Sequence, residues 1–415
     1  MSDKPNAIIL GGVNTCARAL AAYLVPLEGE PLVSNLRIVD KYSVIPATTY
    51  IGLEFPKILA KDNVEYKQAN LTVAATVTAV FDPPEGQAPY TFVFDLSGDV
   101  AYDRPEQVQV NHTLDVARLI GEEAARRKVK AYIRLQHPWY EFSEKGAQDE
   151  KADIKPVRAI GVWWHESLRT LGAIAGLNLV ILRVGLVYGP YIEYGVIPNV
   201  LTVAAVYGYM NKPMKSLWSP GKNSMNTVHS DDVAAGLWAA AQWIAGLGRS
   251  EADKVAGEDI PFLNEKSKVA EVTGMRPANE KIVAPLFNLA DDNHTTLHTA
   301  GETMTGIFGT TFEYHSFVTS SMIRFRLEDV VEDINEAHVN TWAEMITKAN
   351  PPIPNTQLSA YMDTFTLSKH VVALSNAKFK RVVGYELQHP KFTPELLRDI
   401  VNKWKEEGSW PTLDA

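Results

Sequence analysis

This sequence has little cysteine, no long apolar run and no excess of positive charge. Its 415 residues include one cysteine, Cys16, which excludes an internal disulfide framework and a cysteine-based zinc site. It has no run of about 18 uncharged apolar residues, so we expect no membrane span. Lysine and arginine number 40 and aspartate and glutamate 49, a net charge of −9 that argues against nucleic-acid binding through bulk basicity.

The remaining composition is that of an ordinary globular protein. Hydrophobic residues make up 46% and charged residues 21%, and the length suffices for two or three domains of about 150 residues. Residues 1–6 are polar and lead directly into Ala7–Leu10. Because no basic segment precedes a longer apolar one, we expect no secretory signal and a cytoplasmic protein.

Short apolar runs alternate with helical patterns in the first half of the chain. This alternation is typical of parallel βαβ units and predicts an α/β fold with a doubly wound parallel sheet. Residues 1–190, with return segments at about 226–245 and 285–290, form the predicted Rossmann-like domain. Residues 191–415 would form mainly a smaller substrate-type domain and a C-terminal tail. The predicted strands are Ala7–Leu10, Leu36–Asp40, Val64–Tyr66, Thr91–Leu96, Val129–Leu135, Asn178–Val184 and Leu286–Leu289, and the main helices are Arg18–Leu24, Gln107–Lys128, Ile160–Ala175, Thr296–Phe308 and Phe392–Glu407.

A glycine turn follows the first predicted strand. Gly11 and Gly12 stand where backbone amides and a helix N-terminus can approach a pyrophosphate. Asn14 and Ala17 occupy the second and third glycine positions of a dinucleotide-binding loop. Ala17 is small enough for that position, whereas the Asn14 side chain must point away from the phosphates. A tight turn without a ligand is the alternative.

Asp40 closes the second predicted strand, where a carboxylate can accept hydrogen bonds from an adenosine ribose. It would repel a 2′-phosphate, which favours NAD, whereas Lys41 next to it leaves NADP as an alternative. A solvated aspartate at a strand end is the other interpretation.

Several later segments resemble the extended short-chain dehydrogenases/reductases, the group of nucleoside-diphosphate-sugar epimerases and dehydratases. The segment 182–190, Leu-Arg-Val-Gly-Leu-Val-Tyr-Gly-Pro, resembles the family segment after strand six, and 228–234, Val-His-Ser-Asp-Asp-Val-Ala, resembles its later signature. Residues 287–290 resemble its seventh strand, and Asn111 matches an asparagine of its long helix. The resemblance covers roughly residues 7–310 and implies NAD binding and a homodimer built from the helices at 107–128 and 160–175.

The catalytic residues of that family are missing. The family uses a Ser or Thr after strand five and a Tyr-x-x-x-Lys, whose Tyr is the general acid/base and whose Lys holds the ribose. Gln136 falls near the Ser position, Arg158 at the Tyr and Val162 at the Lys, and no Tyr-x-x-x-Lys occurs anywhere in the 415 residues. Arginine stays protonated at neutral pH and is a poor proton shuttle.

Substitute groups cluster near the same positions. His137, Tyr140 or Arg158 could act in catalysis if they face the cleft. The alternative is that Tyr140 packs and that His165 and Glu166 lie on a solvated helix face. The tryptophan pair at 163–164 fits either a dimer interface or the core.

The ten histidines give no convincing metal site by their spacing, and His294 and His298 are expected to be exposed. The sequence thus favours an NAD(H)-binding protein, a non-standard or inactive relative of the epimerases and dehydratases, with an unknown small-molecule ligand. An active oxidoreductase, isomerase or lyase with substitute residues is one alternative. An interaction protein without cofactor is the other.

Overall fold

The computed structural model describes residues 4–144 and 146–413. Its strands are β1 (Ala7–Leu10), β2 (Leu36–Asp40), β3 (Val64–Gln68), β4 (Phe92–Asp95), β5 (Ala131–Gln136), β6 (Tyr140–Glu141), β7 (Lys155–Pro156), β8 (Leu179–Val184), β9 (Leu186–Tyr188), β10 (Met214–Ser216), β11 (Thr227–His229), β12 (Gly257–Asp259), β13 (Val283–Leu289) and β14 (Phe312–Tyr314).

Its helices are α1 (Ala17–Leu24), α2 (Phe55–Leu59), α3 (Ala74–Phe81), α4 (Glu106–Gln109), α5 (Asp115–Arg126), α6 (Arg158–Gly172), α7 (Val196–Tyr209), α8 (Ser230–Leu247), α9 (Arg249–Ala256), α10 (Lys268–Glu271), α11 (Leu297–Gly306), α12 (Phe317–Phe325), α13 (Leu327–Lys348), α14 (Ala377–Val383) and α15 (Pro394–Glu406). A π-helical turn, Val110–Leu114, joins α4 to α5, so the long helix predicted over 107–128 changes its pitch near its start.

Eight strands form one sheet in the order β12-β13-β8-β5-β4-β1-β2-β3. β12 pairs antiparallel with β13, and the other neighbouring strands pair in parallel. The chain runs outward from β1 to β3 and then returns to place β4 on the other side of β1. The predicted doubly wound α/β sheet is therefore confirmed.

Helices cover both faces of this sheet, which explains why its central strands are buried along their whole length. Successive side chains of β1 enter different cores because strand residues alternate between the two faces. Ile9 packs in the core under α1 and α8, which contribute Leu20 and Leu237. Ile8 packs in the core under α3, α5 and α6, which includes Ile120.

A third core lies in the C-terminal half of the chain. It joins α7, α11, α13 and α15 through residues such as Leu201, Met304, Trp342 and Trp404. α15 begins at Pro394 after the Thr393 cap, two residues later than the predicted start at Phe392, and Thr393 Oγ1 accepts from the Leu396 amide at 3.4 Å. Within the described ranges, no helix is both long and apolar enough to cross a membrane.

The polar segment 249–281 packs against the rest of the fold. It supplies β12 at the sheet edge and then covers the outer face of α6. His165 and Arg169 of α6 bond to the backbone oxygens of Pro261 and Ile260 at 2.8 and 2.7 Å. The alternative that His165 and Glu166 lie on a solvated helix face is wrong, because both residues are buried.

Candidate functional site

The candidate site lies where the sheet reverses its winding, at the carboxyl ends of β1 and β4. Ligands of doubly wound proteins bind in the crevice at this position. A cavity of about 430 Å³ opens here. Its lining includes the four cofactor residues proposed from the sequence, Gly11, Gly12, Asn14 and Asp40.

The glycine turn after β1 requires residues without a side chain. Gly11 and Gly12 have φ angles of +74° and +78°, which favour glycine. A Cβ on Gly11 would stand 2.6 Å from Ser97 Cα, and one on Gly12 would stand 2.7 Å from Leu96 Cβ. The turn therefore lies directly against the segment that follows β4.

Asp40 holds the glycine turn against the end of β2. Its Oδ2 accepts from the Val13 amide at 3.0 Å, and its Oδ1 accepts from the Lys41 amide at 2.6 Å. Burial raises the pKa of Asp40, although these backbone hydrogen bonds and the charge of Lys41 oppose that rise. Asp40 is thus a buried residue that shapes the cleft.

Other lining residues escaped the sequence analysis. Asn70, Leu71 and Thr72 follow β3, while Ser97, Gly98 and Asp99 follow β4. A systematic inspection of the residues after each predicted strand could have found them, because parallel strands end at the same edge. Arg104 and His112 line the cleft from the segment that leads into α5. No local sequence pattern predicts that this segment approaches the cleft.

The other end of the cleft is nearly filled. Beyond Val100 and Tyr194, which line both spaces, the open volume falls to about 70 Å³. The filling side chains form an apolar cluster around the carboxyl ends of the strands. Its buried members are Trp139, Ile160, Trp164, Val196, Met225 and Phe365.

His137 lies in this aromatic surround. Its ring centroid is 4.7 Å from that of Trp139 and 5.3 Å from that of Trp164. Burial, and to a smaller extent the positive charge of Arg134, lowers the pKa of His137 to about 3. The imidazole is therefore neutral at physiological pH and has no proton to donate as an imidazolium acid.

Ile160 and Trp164, four residues apart, form the part of α6 that enters this cluster. The Trp164 ring packs against Gly98, where an added Cβ would stand 2.4 Å from it, and its Nε1 donates to the Asp99 carbonyl at 3.0 Å. Arg158 is exposed at the start of α6, with its guanidinium carbon 5.4 Å from the Phe365 ring centroid. Trp163 and Trp164 are both fully buried within the chain, so both are core residues.

Tyr140 lines a different cavity, of about 380 Å³, between α6, β8 and the segment around β12. Its hydroxyl lies 3.2 Å from His165 Nδ1, and burial raises its pKa. Because His165 Nε2 lies 2.8 Å from the Pro261 carbonyl, that nitrogen carries the proton and Nδ1 accepts from Tyr140. Tyr140 and His137 are thus brought to separate cavities, and their catalytic roles stay predictions.

A segment of the C-terminal half closes the filled end. Phe365 stacks on Tyr102 with ring centroids 3.8 Å apart. Asn223 Nδ2 donates to the His370 carbonyl at 2.6 Å, and Val372 forms a bridge with Met225. No local sequence pattern predicts this placement, because it depends on contacts between residues more than 140 positions apart.

The fold and this cleft define a Rossmann-type dinucleotide-binding architecture. Residues 57–252 match the NAD dependent epimerase/dehydratase family, which confirms the resemblance carried by the sequence motifs. No curated protein matches the chain in sequence.

Solved structures share the whole fold at low sequence identity. UDP-glucose 4-epimerase from Thermotoga maritima, in a structure with UDP-glucose, is 14% identical over 97% of this chain and 99% of its own, with a TM-score of 0.59. dTDP-glucose 4,6-dehydratase from Streptomyces venezuelae, in a structure with NAD, is 13% identical over 98% of both chains, with a TM-score of 0.60. The enzyme WbmG from Bordetella bronchiseptica, in complex with NAD, is 14% identical over 99% of this chain and 96% of its own, with a TM-score of 0.56.

Proposed function

We propose that this protein binds NAD(H) in the cleft at the carboxyl ends of β1 and β4 and lacks the standard chemistry of the epimerases and dehydratases. The observation that carries the proposal is the cleft of about 430 Å³ around Gly11, Gly12 and Asp40. The two glycines leave space that a Cβ would fill, and this space lets backbone amides approach a pyrophosphate. Two of the structural neighbours described above are NAD complexes.

In this proposal, different residues of the open cleft bind different parts of the cofactor. Gly11 and Gly12 would receive the pyrophosphate, and Asp40 would face the adenosine ribose, as a carboxylate does at this position of a Rossmann fold. Asp40 disfavours a 2′-phosphate, whereas Lys41 and Arg104 line the same cleft with positive charge. NAD is therefore the proposed cofactor, with NADP as the alternative. A bound nicotinamide cofactor supplies a hydride acceptor or donor.

The site lacks the side chains that would transfer a proton to or from a substrate. Proton transfer by a positioned acid/base contributes about 10²–10⁴-fold to rate. The α6 side chains that reach the cluster, Ile160 and Trp164, carry no group that can shuttle a proton to a substrate oxygen. Arg158 stays protonated and is exposed. We therefore infer a non-standard or inactive relative of these enzymes.

Two alternatives rest on particular residues. His137 borders the filled end and could serve an active oxidoreductase, isomerase or lyase of a small metabolite as a base. Asn14, which replaces a glycine in the loop, would suit an interaction protein that has lost the cofactor. The homodimer through α5 and α6 is also part of the proposal. A single monomeric species in light scattering at micromolar concentration would count against it.

Fluorescence titration of NADH into the purified protein tests cofactor binding. We expect saturable binding that Gly12→Ala abolishes, because the added Cβ meets Leu96 in the cradle. Gly86→Ala is the matched control: Gly86 has a similar φ of +80° but nothing within 4 Å of an added Cβ. Should Gly12→Ala fail to fold, Arg104→Glu removes a positive charge from the cleft at an exposed position, with exposed Asp103→Ala as its control.

The outcomes separate the three functions. No saturable NADH signal up to millimolar concentration would favour the interaction protein. Binding without turnover of sugar nucleotides and small carbonyl compounds supports the proposal. Binding with turnover that His137→Phe removes would favour the active enzyme, since phenylalanine keeps the aromatic packing and removes the base.

A further inference from the structure

The N-terminus of α8 brings together three side chains with metal-ligating atoms. His229 ends β11, Asp231 lies in the first turn of α8, and His389 belongs to the segment before α15. Within residues 4–144 and 146–413, these form the one group of three or more His, Cys, Asp or Glu side chains whose ligand atoms all lie within 4.8 Å of one another. They lie outside the residues that line the nucleotide cleft.

The distances suit a tetrahedral ion. Asp231 Oδ2 lies 3.4 Å from His229 Nδ1 and 3.1 Å from His389 Nε2. Two ligands bound tetrahedrally at about 2.0–2.1 Å stand about 3.3 Å from each other. The ring centroids of the two histidines are 4.1 Å apart, and their ligand nitrogens lie within 4.8 Å of each other.

The scaffold around the group fixes His389 in place. Asp232, which is fully buried, accepts from the backbone amides of Gln388 and His389 at 2.7 and 2.9 Å. Tyr385 adds a third hydrogen bond to the same carboxylate at 2.6 Å. The segment 385–389 is therefore anchored to the start of α8 before any ion binds, which reduces the conformational cost of assembling the site.

Charge and access are also favourable. A cation at a helix N-terminus meets the positive end of the helix dipole, but the carboxylates of Asp231 and Asp232 offset it. The side chains of Asp231 and His389 are 41% and 27% exposed, so an ion can enter from solvent, whereas His229 is 5% exposed. In the absence of an ion, His229 Nδ1 accepts from the Asp231 amide at 3.2 Å, a long bond that an ion can replace.

We propose that His229, Asp231 and His389 bind one divalent transition-metal ion of the zinc class, which ties the C-terminal segment to α8. Two imidazoles and one carboxylate suit zinc, cobalt, nickel or copper rather than magnesium or calcium, which take oxygen ligands. Three protein ligands leave a fourth position for water. His389 is 158 residues from Asp231, which is why sequence spacing gave no sign of the site.

Metal titration of the tag-free, EDTA-treated full-length protein tests this proposal. We expect one equivalent of Zn²⁺ to bind by calorimetry, Co²⁺ to give a tetrahedral visible spectrum, and Zn²⁺ to raise the melting temperature. Loss of an outer-shell partner costs about 10–100-fold in metal affinity, so His389→Ala should cost at least about 100-fold. His389→Gln, which keeps a hydrogen-bond donor toward Asp231, should also lose the ion.

His298→Ala is the matched control. His298 Nε2 lies 3.4 Å from Glu302 in a histidine–carboxylate pair, and its side chain is 44% exposed. This variant should bind Zn²⁺ as the wild type does. Absence of stoichiometric Zn²⁺ and Co²⁺ binding, equal binding by His389→Ala, or an equal loss in His298→Ala would each overturn the proposal.

Discussion

Asp95, at the end of β4, is part of a buried ionic cluster behind the candidate site, and Asp95→Asn tests how much that cluster contributes to stability. Its Oδ1 accepts from the Ser97 amide and hydroxyl at 3.0 and 2.6 Å. Its Oδ2 accepts from the Tyr132 hydroxyl at 2.6 Å. Arg134 Nη1 lies 2.9 Å from Oδ1, and both side chains of this ion pair are 0% exposed.

Arg134 would lose its counter-charge in the Asp95→Asn variant. Its guanidinium lies 4.4 Å from the Trp164 ring centroid and donates to the Ser97 carbonyl at 2.7 Å, so it stays buried with partial compensation. Removing one partner of a buried ion pair typically costs about 3–5 kcal/mol. We therefore expect Asp95→Asn to lower the free energy of unfolding by about 3–5 kcal/mol.

Asp329→Asn is the matched control. Asp329 and Arg326 form an ion pair at 3.3 Å whose side chains are 65% and 66% exposed. Exposed pairs contribute about 0.2–1 kcal/mol, so this variant should lose less than about 1 kcal/mol.

Urea unfolding followed by tryptophan fluorescence measures both variants, because Trp164 packs on Arg134 and reports on the cluster. Arg134→Met added to Asp95→Asn should recover part of the loss, since it removes the uncompensated charge. A cost for Asp95→Asn no larger than that of Asp329→Asn would refute this reasoning.

Three further predictions concern the ligand, pH and the cysteine. On the proposed function, ADP-ribose should compete with NADH with a Kd within about tenfold, a difference below about 1.4 kcal/mol, because adenosine and the pyrophosphate would occupy the open part of the cleft; much weaker competition in the fluorescence titration would contradict this. Burial lowers the pKa of His165 and of His338 to about 4. The unfolded chain therefore binds more protons below pH 6.5, and each histidine lowers the free energy of unfolding by up to about 1.4 kcal/mol per pH unit as pH falls toward 4. Burial raises the pKa of Glu166 to about 7 and that of Asp291 to about 6, which opposes this trend, but burial also lowers the pKa of His137 to about 3 and that of His370 to about 4, so urea midpoints should still fall between pH 6.5 and 5. Burial raises the pKa of Cys16 to about 12, so Ellman's reagent at pH 8 should modify it only after denaturation, and rapid modification of the native protein would be evidence against its burial.

Local patterns predicted the parts of the site that depend on strand ends. Gly11 and Asp40 follow strands that the sequence marks clearly, and the structure places both in one cleft. β2 was predicted with its observed bounds, Leu36–Asp40. The reason is physical: a buried parallel strand is a continuous apolar run, and its carboxyl end is where the chain must turn.

The orientation of α6 and the filled end of the cleft were beyond the reach of local patterns. Ile160 and Trp164 enter the cluster because Phe365 and Met225 pack on them from distant parts of the chain. His165 is buried because segment 249–281 lies over it. Such contacts depend on tertiary packing, which the helical periodicity of the α6 sequence does not predict.

The residues proposed for cofactor binding and those expected for chemistry lie on different elements of this fold, so one function can persist without the other. Gly11 and Gly12 form the turn after β1 and Asp40 ends β2, and changing these proposed binding residues would disturb contacts with Leu96 and Val13 at the carboxyl ends of the strands. The Tyr and Lys positions that the resemblance assigns, Arg158 and Val162, are side chains on α6, where they can be replaced without disturbing the glycine turn. On the proposed function, such replacement leaves the adenosine end open and removes proton transfer.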